Sequence, residues 1–221
     1  MGKKNKFENI IAQEKNNEIV IYPEKKEDLY LNFFKSNIDF LKEKERIMFI
    51  KHTEDIIRVS DEYGAYIAYL KENIPDQNHC AFHSNIVETD KVKIEMHHGP
   101  IFNLFDIVEI TLISLLKNNE KISTFRVFEK VLRDHHNNLI NTIPLCQTCH
   151  IVAHNRKPGV KRPFLMLEHS FGNFVGFLTK YSDCLSYQHI NKIRNYLHLK
   201  DYYGKHSDED NVLKESIKSF K

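Results

Sequence analysis

The sequence predicts an α+β fold, with a short strand-bearing core stapled by Cys and His side chains between helical N- and C-terminal regions. Three observations predict it. Apolar residues recur at helical intervals over residues 26–73. The stretch "KVKIEMHH", residues 91–98, alternates polar and apolar side chains. Eight of the thirteen histidines and three of the four cysteines lie between His79 and His154, so metal-binding and proton-moving groups are concentrated in one window.

Composition sets the frame. With 221 residues, 41% hydrophobic and 28% charged, the chain fits a soluble domain with appendages. No apolar run reaches the length of a membrane span, and no membrane partner is expected. The opening "MGKKNKFENIIAQEKNN" lacks the apolar core of a secretion signal. Lys6 stands where a myristoylation signal needs Ser or Thr. The expected compartment is a reducing cytoplasm, where clustered cysteines bind metal rather than pair. Richness in Lys, Asn and Ile points to an AT-rich genome and so to a bacterial or phage-infected cell. A net charge of +2 neither demands nor excludes a nucleic-acid partner, but "NRKPGVKR", residues 155–162, holds four basic residues and no acid.

The elements follow in order. Residues 1–20 are polar and read as loose. Residues 26–51 have helical apolar spacing. "TEDIIRVSDEYGAYIAYLKEN" continues it, with Thr53 as N-cap and acids in the first turn, until "IPDQN" breaks the pattern. Residues 1–75 are therefore expected to be a helical N-terminal region. The core spans 76–160. It contains the 91–98 strand, with Val92, Ile94 and Met96 on one face, and a helical insertion at about 104–136 made of "LFDIVEITLISLLKNN" and "STFRVFEKVLRDHH", the second capped by Ser123. "NTIPLC" is extended and "QTCHIVAHN" starts a short helix. Residues 161–221 are mainly helical, and suit covering the core, binding DNA or mediating assembly.

Two constellations carry chemistry. Cys80-x2-His83 and Cys146-x2-Cys149 are knuckles of the kind that hold structural Zn²⁺ tetrahedrally, the short spacing letting one turn aim two ligands at one ion. His79 is a substitute for His83, at a poorer spacing to Cys80. Cys184 lies outside and reads as a buried thiol. The second constellation starts at His150 and His154, four apart and so on one helix face, able to grip a second, catalytic divalent ion. His97 is a third ligand. Neighbours on a strand point to opposite sides, so His98 stays off that ion as a free imidazole and a candidate general base. This division of labour suits phosphodiester hydrolysis. Three imidazoles favour Zn²⁺, Mn²⁺ or Ni²⁺ over Mg²⁺. The pair His135–His136 has no matching ligands and reads as a helix end.

"IEMHHGP", residues 94–100, with "NTIPLCQTCHIVAH", residues 141–154, resembles the HNH endonuclease family, also called the His-Me finger or ββα-metal fold. The resemblance covers roughly residues 79–157. It implies a ββα-metal core and DNA cleavage that leaves 5′-phosphate and 3′-hydroxyl ends. It makes His98 the base and Asn141 the brace that holds the loop and orients that base. Glu95 is implied to position DNA or a ligand histidine. The family joins its first strand to the Asn by a short loop. Here 42 residues lie between His98 and Asn141, as a DNA-contacting insertion or because the two halves belong to different sites. Lys91, Lys93, Arg156, Lys157, Lys161 and Arg162 are the candidate DNA-backbone contacts. The sequence thus predicts a metal-dependent DNA endonuclease, with a catalytically inactive zinc-stabilised DNA-binding or assembly protein on the same scaffold as the alternative.

Overall fold

A computed structural model describes residues 10–15, 18–23, 38–154, 166–203 and 207–218. Strands Ile10–Lys15 (β1) and Glu18–Pro23 (β2) pair antiparallel, where the sequence suggested a loose segment. The β-branched run Ile19, Val20, Ile21 supplies the strand propensity that a count of polar residues overlooks.

Of the helix expected over residues 26–51, the part up to 37 lies outside the described residues, 38–42 form a turn, and the helix starts only at Glu43, after the extended backbone of Lys42. This helix, Glu43–Val59 (α1), runs straight through the expected boundary. Thr53 is not an N-cap: it is buried inside α1 and its hydroxyl donates to the Phe49 carbonyl at 2.9 Å. The break falls at Ser60, whose extended backbone and side-chain oxygen, accepting from the Tyr63 N–H, start Asp61–Asn73 (α2).

The middle of the chain alternates short strands with helices. His79–Cys80 (β3) and His83–Val87 (β4) form a small antiparallel pair, and Ile94–His98 (β5) ends immediately before Gly99-Pro100. The insertion is two helices, Leu104–Lys117 (α3) and Thr124–His136 (α4). A reciprocal capping box of Asn103 and Asp106 starts α3, and Ser123 caps α4 by accepting from the Arg126 N–H. Thr142–Cys146 (β6) then pairs antiparallel with β5, in the register Ile94↔Cys146, His97↔Ile143 and His98↔Thr142. Helix Gln147–His154 (α5) follows directly and packs back on both strands. The C-terminal region holds Phe174–Lys180 (α6), Tyr187–Tyr203 (α7) and Asp208–Lys218 (α8), with 3-10 turns at Leu167–His169 and Ser182–Cys184. Among the described residues, no helix is long and apolar enough to cross a membrane.

Burial divides the molecule differently from the expected segmentation. One large cluster draws Phe49, Ile57 and Leu70 from α1 and α2, Leu104, Ile110 and Val131 from the insertion, and Phe177, Ile193 and Leu213 from the C-terminal helices. The insertion is thus the centre of the core and not a protruding arm. The C-terminal helices cover it and are locked down by polar contacts. The buried Asp134 of α4 accepts from the Tyr181 hydroxyl at 2.6 Å, and Asp106 of α3 holds the Lys192 ammonium at 2.6 and 2.7 Å. A second, small cluster is made of Cys80, Ile94, Ile143, Leu145, Cys146 and Cys149. The β5–β6 pair stands between the two, with Met96 in the large cluster and Ile94 in the small one.

Candidate metal centres and the buried histidine pair

The first knuckle reaches the second through the backbone. The Ala81 N–H donates to the Pro144 carbonyl at 2.9 Å, which docks the β3–β4 turn against β6. Pro144 has no N–H of its own to offer that edge. Cys80, His83, Cys146 and Cys149 then present one ligand atom each, all within 4.8 Å of one another. His83 Nδ1 lies 3.8 Å from Cys80 Sγ and 3.2 Å from Cys149 Sγ. Tetrahedral zinc with bonds of about 2.1 Å to nitrogen and 2.3 Å to sulfur spaces such atoms by roughly 3.6 Å, so the set fits the ion. His83 is the nitrogen ligand of this set and His79 stands outside it.

The thiols are unequal. Burial pushes Cys80 up, but hydrogen bonds from the backbone of Cys146 and Phe82 and from the side chains of His83 and Cys146 outweigh it and bring the thiol down to about 6. Burial, with hydrogen bonds and charge from Cys146 and Cys80, pushes Cys149 up to about 12. A single thiolate is tolerated here and a second is repelled, the condition that a bound cation relieves. All four cysteines are free, and Cys184 is a buried thiol away from the cluster.

The second set is built by β5 and α5. His97 leaves the half-buried face of β5, and His150 and His154 stand one helical turn apart above it. Their ligand nitrogens all lie within 4.8 Å of one another. The Nε2 atoms of His150 and His154 are 3.1 Å apart, and the His97 ring centroid lies 4.7 Å from that of His154 and 5.4 Å from that of His150. Nitrogens on a tetrahedral zinc ion lie about 3.4 Å apart. Glu95, two residues before His97 and on the same strand face, contacts His150 Nδ1 with its carboxylate. That contact fixes a hydrogen on Nδ1 and leaves Nε2 to face the other imidazoles. Glu95 is therefore a partner of a candidate ligand. Burial, then the neighbouring His154 and His150, hold His97 down to about 4, so it is neutral and able to bind a cation near pH 7.

His98 is placed differently from the expectation of a free imidazole. It takes the buried face of β5 with Ile94 and Met96 and is only 5% exposed. Its Nε2 lies 3.0 Å from His135 Nε2 and 3.4 Å from the Tyr63 hydroxyl. Alternation along β5 thus separates His98 from His97 as reasoned, but the helices behind the strand engage it. Burial, then the His135 ring, hold its pKa well below the usual histidine value. Asn141 is buried and braces the turn after β5: its carbonyl accepts from the Gly99 N–H at 3.4 Å and its amide donates to Ser170 Oγ at 2.5 Å. Its Oδ1 is buried without a partner, and the polar contacts to His98 come instead from His135 and Tyr63.

Sequence reasoning missed those two residues and Ser170. For His135 a signal existed. It follows Val131 by four residues and Val127 by eight, on the buried stripe of an amphipathic helix. Arg58 of α1 was also missed, and its positive charge acts on both His97 and His98. The strand expected over 91–98 begins only at Ile94, so Lys91 and Lys93 are exposed in the turn before β5, while Arg156, Lys157, Lys161 and Arg162 lie outside the described residues.

Fold and site together define an α+β protein with one Cys/His constellation joining the β3–β4 pair to β6 and α5, and one histidine constellation on β5 and α5. The chain belongs to the bacteriophage G278-like virion protein family, whose model it matches over residues 1–221. No curated protein and no solved structure matches it.

Proposed function

We propose that this virion-family chain is a metal-dependent HNH-type endonuclease that hydrolyses DNA phosphodiester bonds. The observation that carries the proposal is the convergence of His97 from β5 with His150 and His154 from α5 within 4.8 Å, beside a second Cys/His set of zinc-binding geometry. A divalent ion held by the three histidines would leave positions for water and phosphate oxygens, and would supply charge stabilisation at the phosphoryl group and the leaving 3′ oxygen. Zn²⁺ or Mn²⁺ suits three imidazoles better than Mg²⁺. Glu95 orients His150, and the positive charge of Arg58 favours an anionic backbone at the site. His98 is the group assigned to take the proton of the attacking water, with Asn141 holding the turn that follows it. Cys80, His83, Cys146 and Cys149 would hold Zn²⁺ that serves the fold. Lys91 and Lys93, with the basic segment 155–162, are the proposed contacts to the DNA backbone.

One observation favours a second function. His98 is buried and already hydrogen-bonded, as in a protein that kept the scaffold for zinc-stabilised DNA binding or particle assembly without turnover. Nicking of supercoiled plasmid in Mn²⁺ or Mg²⁺ separates the two. The endonuclease predicts cutting by the wild type and loss of cutting in His98→Ala and His150→Ala. No cutting by any of the three, with DNA binding retained, establishes the second function. Equal cutting by all three refutes the assigned site.

A further inference from the structure

The inserted helix α4 brings a second imidazole to His98, and the hydrogen count between them has one solution. We propose that His135 is a positioning residue that fixes the tautomer of His98, with the hydrogen on Nε2 and with Nδ1 left bare as its basic nitrogen. The catalytic consequence rests on the endonuclease function proposed above.

The chain of hydrogen bonds starts at a group that can only accept. His135 Nδ1 lies 2.8 Å from the Val131 carbonyl one helical turn earlier, so that nitrogen carries a hydrogen. His135 is fully buried, and burial holds it down to about 4 despite the raising effects of the Val131 carbonyl and Asp134. It is therefore neutral near pH 7, carries one ring hydrogen, and offers a lone pair at Nε2. His98 Nε2 faces that lone pair at 3.0 Å, and two bare nitrogens do not approach so closely without a hydrogen between them. The hydrogen belongs to His98. The Tyr63 oxygen, at 3.4 Å from the same nitrogen, serves as a second, weaker acceptor. His98 is buried and its polar contacts are His135 and Tyr63, neither of them a carboxylate, so the ring has no partner for a second hydrogen and Nδ1 is bare.

Packing keeps both rings in place. His98 and His135 meet edge to face at 87°, Tyr63 stacks on His98 at a centroid distance of 6.0 Å, and Tyr66 closes on His135 at 5.3 Å. A general base works best when its proton-accepting nitrogen needs no tautomer change before reaction. A neighbour that secures the tautomer is accordingly part of the machinery, even when it never meets the substrate. Residues 104–136 thereby acquire a role at the site itself.

The test uses the full-length, zinc-loaded chain labelled with ¹⁵N-histidine. In the wild type, NMR is expected to show the hydrogen on His98 Nε2 and a scalar coupling through it to the bare Nε2 of His135. In His135→Phe, which keeps ring volume but accepts no hydrogen bond, kcat for nicking supercoiled plasmid in Mn²⁺ should fall about 10²-fold or more with KM unchanged. His135→Gln, whose amide oxygen accepts the same hydrogen, should recover most of that loss. A hydrogen found on His98 Nδ1 or on His135 Nε2 overturns the inference, as do equal rates for the Phe and Gln variants. A wild type that cuts DNA without the coupling refutes the inference alone. A wild type that shows the coupling but never cuts refutes the endonuclease, and the positioning role falls with it.

Discussion

Replacing Cys149 by Ser should unfold the knuckle region and leave the helical core standing. The buried part of the small cluster holds three aliphatic side chains, Ile94, Ile143 and Leu145, with Ala81, Phe82, Ile86 and Ala153 partly buried against them. Burying the first three contributes about 5–9 kcal/mol together, and the partly buried four add about 3 kcal/mol more. Ordering residues 79–93 costs on the order of 15 kcal/mol of backbone entropy, and β3 with β4 supplies only a short, irregular ladder against it. Zinc at a structural site adds roughly 10–16 kcal/mol of apparent free energy at neutral pH, more than enough to cover the shortfall. The ligand most affected is the thiol that burial most opposes ionising, so its loss leaves the cation three donors, one of them the exposed imidazole of His83. Two measurements check this on the same samples: zinc content by elemental analysis, and hydrogen exchange of peptides covering 79–90, 144–154 and 104–117. The expected result is loss of zinc and of protection in the first two peptides, with 104–117 unchanged. Cys184→Ala should keep its zinc. Full protection of 79–90 in metal-free wild type would refute the reasoning, because the knuckle would then stand on apolar contacts alone.

Other perturbations test separate parts of the structure. Glu95→Gln replaces a carboxylate partner of His150 with a neutral amide, and calorimetric titration with Mn²⁺ or Zn²⁺ should show the His97–His150–His154 set weakened about 10–100-fold, with the cysteine set still loaded. Gly172→Ala should lower thermal stability by about 2–4 kcal/mol: Gly172 has φ +133°, and a Cβ there would sit 2.6 Å from the Ile140 carbonyl oxygen and 2.9 Å from Asn141 Oδ1. Lys200→Met removes the buried ammonium that lies 3.1 Å from Asp210 and 2.7 Å from Glu168 and leaves the buried Asp210 without its counter-charge, and denaturant unfolding should show a loss of about 3 kcal/mol. The acid limb of stability carries the same signature. Burial pushes Asp210 up, but hydrogen bonds from the Ser207 backbone and hydroxyl, Lys200 and Tyr196 together hold it below its ordinary 3.8. Its contribution is complete above about pH 4 and is lost as pH falls through the lower folded value.

Much of the chain could be read without coordinates, because local chemistry decides it. Strict alternation placed β5, Ser123 marked a helix start, and the two short Cys/His spacings named all four members of the first candidate metal set. The second set followed from two periodicities, the helical turn between His150 and His154 and the opposite faces of His97 and His98. What failed locally did so through tertiary override. Thr53 looks like a cap in isolation, but a buried hydroxyl that bonds back to Phe49 lets α1 continue to Ser60.

The environment of His98 was decided only when distant segments met. Spacing says on which side of a strand an imidazole stands, and says nothing of what lies there. Tyr63 arrives from α2 and His135 from the far end of α4, 35 and 37 residues away along the chain, because the apolar stripes of those helices pack behind β5. The sequence by itself determined which side chains can bind a cation, since ligand spacing within a turn is a short-range property. The tertiary structure decided which imidazole is wet and which is dry, because burial and hydrogen-bond partnership belong to the packing of whole helices.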